Sequence, residues 1–410
     1  MFSDEIDRDV SIVYTPLNGT GLIPVTKLLS ESGFTHVTLV EEQRLPDGNF
    51  PTCPYPNPEI REAMELGLEY CRKTGADLLI ATDPDCDRCG IAVRSLPATS
   101  ASASAVWNTA RDAAWNTAGK TPIKENDDSG AAEEGEYELL TGNELGCLLL
   151  DYICSQRQKH GKMPPNPVLI KTIVTTPLAE KIATNYNVET INVLTGFKYI
   201  GEQITLLEQQ GRAADYLLGF EESYGYLTGT YVRDKDGVNA VFMIAEMFAF
   251  YKTNGISLLA KLEELYQKYG YYQELLLSYE FPGSEGMEKM NTIMAEFRSS
   301  FSSSFSDGKG DSSFGSFAGM AITSLEDYAL GIHGLPKSNV LKFTLQSPVE
   351  APVEASMGDA GDAGESIVFI RPSGTEPQLK AYISTVAKDK ASALETAEKI
   401  KHSLDEKIKS

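Results

Sequence analysis

Positive charge is scarce in this sequence. Lys and Arg total 36 against 58 Asp and Glu, a formal net charge of −22. A balance this acidic excludes nucleic acid or an anionic membrane as the main partner. It leaves room for a phosphorylated small molecule, which a few local cations, backbone N–H groups and a metal ion can hold on an acidic protein. No run of about 18 apolar residues occurs, so no membrane span is expected. The opening MFSDEIDRDV has neither a basic stretch nor an apolar one. It does not read as a secretory signal, and a cytoplasmic protein is expected. Cysteine is sparse too: Cys53, Cys71, Cys86, Cys89, Cys147 and Cys154 all lie in the first half of 410 residues. Reduced thiols, not a disulfide framework, are the expectation.

The length exceeds one ordinary core and suggests about two to four domains. Strand-like and helix-like segments alternate, as sheets covered by helices require. Val10–Tyr14, His36–Glu41, Asp77–Thr82 and Gly90–Arg94 read as strands, and Glu59–Thr74 as a helix. Thr141, with Glu144 three residues on, is a capping-box signature before an apolar helix. The linker KHGKMPPNP (Lys159–Pro167) marks a boundary. Beyond it come strands at Val168–Val174, Val188–Leu194 and Tyr216–Gly219, a helix capped by Thr176 with Pro177 as its first residue, and an apolar helix at Asn239–Tyr251. Three tracts break the pattern and read as loop insertions: 97–136, with its VWNTA/AWNTA repeat, 299–316 and 347–365. The last unit reads as a strand (Ser366–Ile370), a tight loop, a strand (Gln378–Val386) and a helix from Lys390. The expected domains are therefore 9–160 (α/β), 166–285 (α/β) and 286–410 (a smaller α+β unit).

Four motifs carry chemistry. DPDCDRCG (Asp83–Gly90) lies between two strand-like runs. Asp83, Asp85 and Asp87 repel each other unless a hard cation neutralises them, and oxygen ligands select Mg2+ or Ca2+ over soft metals. A calcium loop fails on detail: Pro84 follows the first Asp, Arg88 stands where Gly is required, and Arg94 where Glu is. The bland alternative is an acidic surface turn. Cys86 and Cys89 form a CxxC here, but no second pair accompanies them, so neither zinc nor redox chemistry is expected. TGFKYIGE (Thr195–Glu202) follows a strand, with Gly196 for a tight turn and Lys198 where α/β sites gather. Ordinary helix-opening turns look similar. GFEESYGY (Gly219–Tyr226) puts two glutamates at a strand end, costly if buried without partners, and vicinal sugar hydroxyls are suitable partners. In YVRDKDG (Tyr231–Gly237), Lys235 stands between Asp234 and Asp236, which favour its charged form. A solvated charged loop explains both segments equally well. RPSGTEP (Arg371–Pro377) combines a guanidinium, hydroxyls and a glycine turn, the composition of a phosphate cradle without Walker spacing. An ordinary hairpin turn is the alternative.

In order, DPDxDR, TGFKYIG, GFEESYGY with KDG, and RPSGTEP resemble the α-D-phosphohexomutase superfamily. VYTPLNGTG and LPDGNFPTCPYPNPE (Leu45–Glu59) point to its bacterial phosphoglucomutase branch. The resemblance covers nearly the whole chain outside the insertions. It implies successive mixed α/β domains followed by a smaller α+β C-terminal domain. By position it implies Mg2+ on Asp83, Asp85 and Asp87, with Arg88 supporting the loop and a phosphoserine. It places Glu221 and Ser223 on sugar hydroxyls, and Thr195, Gly196, Phe197 and Lys198 opposite them. Lys235 would be the acid/base, and Arg371, Ser373, Gly374 and Thr375 would grip the phosphate that is not transferred. The implied reaction converts glucose 1-phosphate to glucose 6-phosphate through glucose 1,6-bisphosphate, with the metal neutralising charge on the transferring group.

One part of that pattern is not in the sequence. The four histidines are His36, His160, His333 and His402, and none stands in a Ser-His-Asn-Pro loop of the kind that carries the phosphoserine. The match begins almost at Met1, inside what would be the family's second domain. The expectation is that about one domain of 150–200 residues is missing from the N-terminus, either through a gene model cut short of the full-length gene product, as a true fragment, or with a partner supplying it, and that this chain alone has no mutase turnover. Phosphomannose and phosphopentose substrates are close variants. Two other readings stand beside the mutase: a catalytically silent sugar-phosphate-binding protein, and a phosphatase using Asp83 as nucleophile with Asp85 as acid.

Overall fold

The computed structural model describes residues 6–95, 137–302, 316–346, 365–373 and 377–409. The VWNTA/AWNTA repeat, most of the other two insertion tracts, and Gly374 with Thr375 lie outside the described residues. The chain forms two compact units that part between Glu263 and Glu264.

The first unit holds two sheets built in one repeated order. In the first, β1 (Ile12–Thr15) lies between β2 (Val37–Leu39) and β3 (Leu78–Thr82), all parallel. β4 (Cys89–Arg94) and β5 (Tyr137–Leu140) then extend the sheet antiparallel. In the second, β6 (Val168–Thr172) lies between parallel β7 (Glu189–Val193) and β8 (Tyr216–Glu221), and β9 (Gly225–Leu227) turns back antiparallel. So β3–β4 and β8–β9 are equivalent hairpins in the two sheets. Their turns hold the aspartate cluster and the Glu-Ser segment. The cause is legible: β3 (LLIAT) and β8 (YLLGFE) are buried along their whole length, as central strands covered on both faces require. Polar side chains begin where the strands end.

Helices α1 (Leu22–Glu31), α2 (Arg61–Thr74), α3 (Gly142–Lys159), α4 (Leu178–Asn185), α5 (Phe197–Gln209) and α6 (Gly237–Thr253) belong to this unit. α3 is buried on every side through Cys154 and lies against β8, α4 and α6. Its start is the expected capping box: Thr141 Oγ1 accepts from Glu144 N at 3.2 Å, and Glu144 Oε2 accepts from Thr141 N at 2.8 Å. Thr141→Ala is expected to cost about 1 kcal/mol of unfolding free energy, measured by urea denaturation. α4 starts one residue later than the sequence suggests. Pro177 is the capping residue, and Thr176 Oγ1 accepts from Leu178 N at 3.2 Å.

α7 (Leu258–Tyr269) runs across the division. The second unit is an antiparallel sheet in the order β10 (Tyr271–Glu280), β15 (Gln378–Ala387), β14 (Glu365–Pro372), β13 (Leu341–Gln346), β12 (Met320–Asp327), β11 (Ser316–Phe317). α8 (Gly283–Ser302) and α9 (Lys390–Lys409) supply Met290, Met294, Ile400 and Leu404 to the core against its inner face. β10 falls within the sequence stretch 166–285, yet it pairs with β15 from Tyr271–Ala387 to Glu280–Gln378. Leu275, Leu277 and Tyr279 are buried at a period of two, the pattern of an antiparallel strand with one covered face. Successive α/β sheets followed by an α+β unit are the architecture that the sequence indicates.

Candidate functional site

β3 ends at Thr82, and the next six residues form the tight turn into β4. Cys86 takes a left-handed φ of 60° at its apex, and its N–H donates to Asp83 O at 2.9 Å. This folds the Asp83 side chain under the turn, where it is 1% exposed. Its Oδ1 accepts from Arg88 N at 2.8 Å and Asp87 N at 3.1 Å, and its Oδ2 from Arg88 Nε at 2.7 Å. Arg88 Nη1 reaches Glu59 Oε1 at 3.1 Å. Burial pushes the Asp83 carboxyl up to about 6, against the pull of Arg88. An acidic surface turn therefore does not describe this loop.

One carboxylate oxygen each from Asp83, Asp85 and Asp87 lies within 4.8 Å of the other two. Opposite ligands of an octahedral Mg2+ are about 4.2 Å apart, twice the bond length. Adjacent ligands are closer, about 3 Å apart, so the three oxygens would draw together further to share a small hard cation, the kind of ion an all-oxygen set selects. Asp85 is exposed and Asp87 half-buried, so the cluster opens to solvent on one side. Cys86 offers no competing ligand at neutral pH, because burial pushes its thiol up to about 12.

Three other segments meet this loop. Thr20 donates to Pro84 O through both N (2.8 Å) and Oγ1 (3.0 Å), and a Cβ on Gly19 would stand 2.3 Å from Pro84 Cα. TPLNGTG is thus a brace under the aspartates. The Glu-Ser hairpin pairs with it through an antiparallel bridge, Arg88–Gly225, and through Cys89 N to Tyr224 O at 3.1 Å. The KDG segment joins through Gly237 N to Cys86 O at 3.0 Å, a contact so close that a Cβ on Gly237 would sit 2.6 Å from that oxygen. It carries Lys235, whose Nζ lies 2.8 Å from Asp87 Oδ2.

Glu221 ends β8, is 8% exposed, and accepts from Gly196 N at 2.9 Å. Burial first, then the neighbouring Glu222, pushes its carboxyl up to about 7. Gly196 has φ 116°, a conformation that favours glycine, and starts α5 just before Phe197. Phe197 is buried, with its ring centroid 5.9 Å from Lys235 Nζ. Lys198 is exposed, 4.9 Å from the Tyr199 ring. Thr195 and Ser223 are half-buried at the ends of the same two segments. The Glu-Ser segment is therefore not a solvated charged loop, since Glu221 is buried, whereas Asp234 beside Lys235 is exposed, as in such a loop.

The structure thus brings together Asp83, Asp85, Asp87, Arg88, Gly196, Phe197, Glu221 and Lys235. Arg371 and Ser373 belong to the second unit, at the end of β14. Arg371 Nη2 donates to Tyr382 Oη at 3.1 Å, and its buried Nε has no hydrogen-bond partner among the described residues. Ser373 N donates to Gln378 O at 2.7 Å. Sequence reasoning gave Glu222 no role apart from its neighbour's; it accepts from Thr172 Oγ1 (3.2 Å) and Thr175 Oγ1 (3.1 Å). Nor did that reasoning single out Gly142, where a Cβ would meet Glu222 O at 2.1 Å. These contacts anchor the Glu-Ser turn from behind. The TIVTT run holding both threonines was the available signal.

Two family models match the chain: phosphoglucomutase/phosphomannomutase alpha/beta/alpha domain II over residues 2–96, and domain III over residues 141–269. Together they take in more than half of it. The phosphoglucomutases of Staphylococcus saprophyticus and Staphylococcus aureus USA300 are each 32% identical, with 92% of this chain and 57% of the relative covered. The chain therefore spans little more than half the length of these relatives. The solved phosphoglucomutase pp63/parafusin of Paramecium, in its open form, matches with a TM-score of 0.56 at 15% identity, over 98% of this chain and 58% of that one. A phosphoglucomutase/phosphomannomutase family protein of Burkholderia thailandensis matches with a TM-score of 0.53 at 15% identity, over 97% and 62%.

Proposed function

The chain belongs to the phosphoglucomutase/phosphomannomutase family, and from that premise we propose that it carries the metal-binding and sugar-binding parts of a phosphohexomutase site. The reaction is the interconversion of glucose 1-phosphate and glucose 6-phosphate by way of glucose 1,6-bisphosphate. The observation that supports this reading is the meeting of the two equivalent hairpin turns. The aspartate cluster of one lies against the Glu-Ser turn of the other, with Lys235 between them.

Asp83, Asp85 and Asp87 would hold Mg2+, which when bound neutralises charge building on a phosphoryl group in transfer. Arg88 fixes Asp83 in place. Glu221 and Ser223 would take sugar hydroxyls, with Thr195 to Lys198 closing the opposite side. Lys235 is the acid/base group. Arg371, Ser373, Gly374 and Thr375 would grip the phosphate that stays on the sugar. The phosphoserine of the reaction has no counterpart loop in these 410 residues, and we assign it to another part of the full-length gene product. Asp83 is a poor candidate for a phosphatase nucleophile, since it is buried beneath the turn with no open approach for attack on phosphorus, whereas three accepted hydrogen bonds still leave a lone pair for a metal bond.

Calorimetric titration of the chain with glucose 1,6-bisphosphate in excess MgCl2 tests the reading. Saturable binding is expected, weakened about tenfold or more in Glu221→Ala, because a charged hydrogen-bond acceptor for the sugar is lost. An absence of binding by the wild-type chain would overturn it.

A further inference from the structure

Lys235, like Arg88, sets a cation at salt-bridge distance from a carboxylate of the aspartate loop. Its Nζ lies 2.8 Å from Asp87 Oδ2 and 3.0 Å from Asp234 Oδ1, and its side chain is 17% exposed. The stem is confined. A Cβ on Gly225 would come within 2.3 Å of Lys235 Cδ, so the chain lies flat on the Glu-Ser hairpin. The following residues are tied to the metal loop by the Gly237 N to Cys86 O bond, 3.0 Å. The ammonium is therefore held beside Asp87 by its surroundings as well as by charge. The other two aspartates differ. Asp83 is matched by Arg88 at 2.7 Å, and Asp85 is exposed. Asp87 is the cluster member whose charge Lys235 balances.

We propose that Lys235 is the internal counter-ion of the aspartate loop, and that its ammonium and a bound divalent cation compete for the carboxylate of Asp87. A unit positive charge at salt-bridge distance from a ligand oxygen opposes a second cation there. By linkage the opposition is mutual: a cation on the loop weakens the Lys235–Asp87 pair by the same factor. Loading the metal would then release the ammonium from Asp87 toward the space in front of Glu221 and Phe197. The acid/base group would be set free only when the metal is present. The inference rests on the proposed metal site, and it adds an order to the use of that site.

The test is calorimetric binding of Mn2+ and Mg2+ to the 410-residue chain as wild type, Lys235→Met and Lys235→Arg. Thermal melts check that each variant is folded. Lys235→Met is expected to bind metal about tenfold tighter than wild type, while Lys235→Arg, which keeps the charge, stays within about threefold. Lys235→Gln gives a second neutral variant should the Met side chain disturb the fold. Tighter binding by either neutral variant supports the competition, even where wild-type binding is too weak to measure. Equal or weaker binding by folded neutral variants, with the wild type binding normally, overturns this inference alone. No binding by any variant overturns the metal site itself, and the inference with it.

Discussion

Asp83→Ala is expected to abolish divalent-cation binding by this chain and to lower the unfolding free energy of the first unit by about 3–5 kcal/mol. The two losses have one origin. Asp83 is one of the three clustered carboxylates proposed to hold the metal and also the partner of a half-buried guanidinium and of two backbone N–H groups. Removing it leaves the Arg88 charge with Glu59 and the exposed side of Asp87 as remaining partners, 3.1 Å and 3.8 Å away. It also leaves two N–H donors without acceptors in a turn whose neighbours are fixed. Asp83→Asn separates the terms. An amide oxygen still accepts from the two N–H groups, but its NH2 then confronts Arg88 Nε, donor against donor. The cost should fall to roughly half that of the alanine change. Asp85→Ala is the contrast, because Asp85 is exposed. It should remove metal affinity while changing stability by less than about 0.5 kcal/mol. Urea denaturation and Mn2+ calorimetry on the same three variants check both effects. Normal metal binding by Asp83→Ala, or undiminished stability, would show that the buried aspartate is not the keystone of this loop.

What the sequence makes legible here is local, and what it hides is pairing across distance. The aspartate loop stands out because a buried strand, LLIAT, runs straight into three carboxylates, and each half of that signal is contiguous. The fate of two neighbouring glutamates is different. Glu221 turns to Gly196 and Glu222 to Thr172 and Thr175, residues 25, 50 and 47 positions away. Nothing in the string EES says which is which without those partners. The same holds for TPLNGTG, whose work is to carry Pro84, 64 residues ahead of Thr20. β10 has its partner in β15 near the other end of the chain. Nothing local in residues 271–280 names that partner, so the sequence reading leaves the strand inside the expected 166–285 domain. The RPSGTEP segment shows the converse. Its Arg and its strands are where the pattern places them, but its glycine and threonine fall outside the described residues.

Glu221→Gln is expected to make the first unit more stable than wild type at pH 8 and no more stable at pH 4, the gap opening as pH rises. In the folded chain, burial and Glu222 raise the Glu221 carboxyl from 4.5 to about 7. A raised carboxyl favours the folded state while it is protonated, below pH 4.5. That contribution is lost progressively as pH climbs from 4.5 through 7, since the unfolded chain releases the proton first. Glutamine keeps an oxygen for Gly196 N–H and never ionises. The difference between variant and wild type should therefore be near zero at low pH and level off at no more than about 3 kcal/mol above pH 7. Sugar binding should move the other way. An ionised carboxylate accepts from two vicinal hydroxyls more strongly than an amide or a protonated acid does. Wild-type affinity for glucose 1,6-bisphosphate should rise through pH 7, and that of Glu221→Gln should stay flat and weaker, apart from ionisation of the ligand itself. Parallel pH series of urea denaturation and calorimetric binding measure the two slopes. If stability tracks pH as argued but binding does not, Glu221 is a strained residue of the fold and not a sugar ligand. If both slopes appear with opposite signs, the stability lost by burying a charge at the end of β8 is what keeps a charged acceptor ready for the sugar.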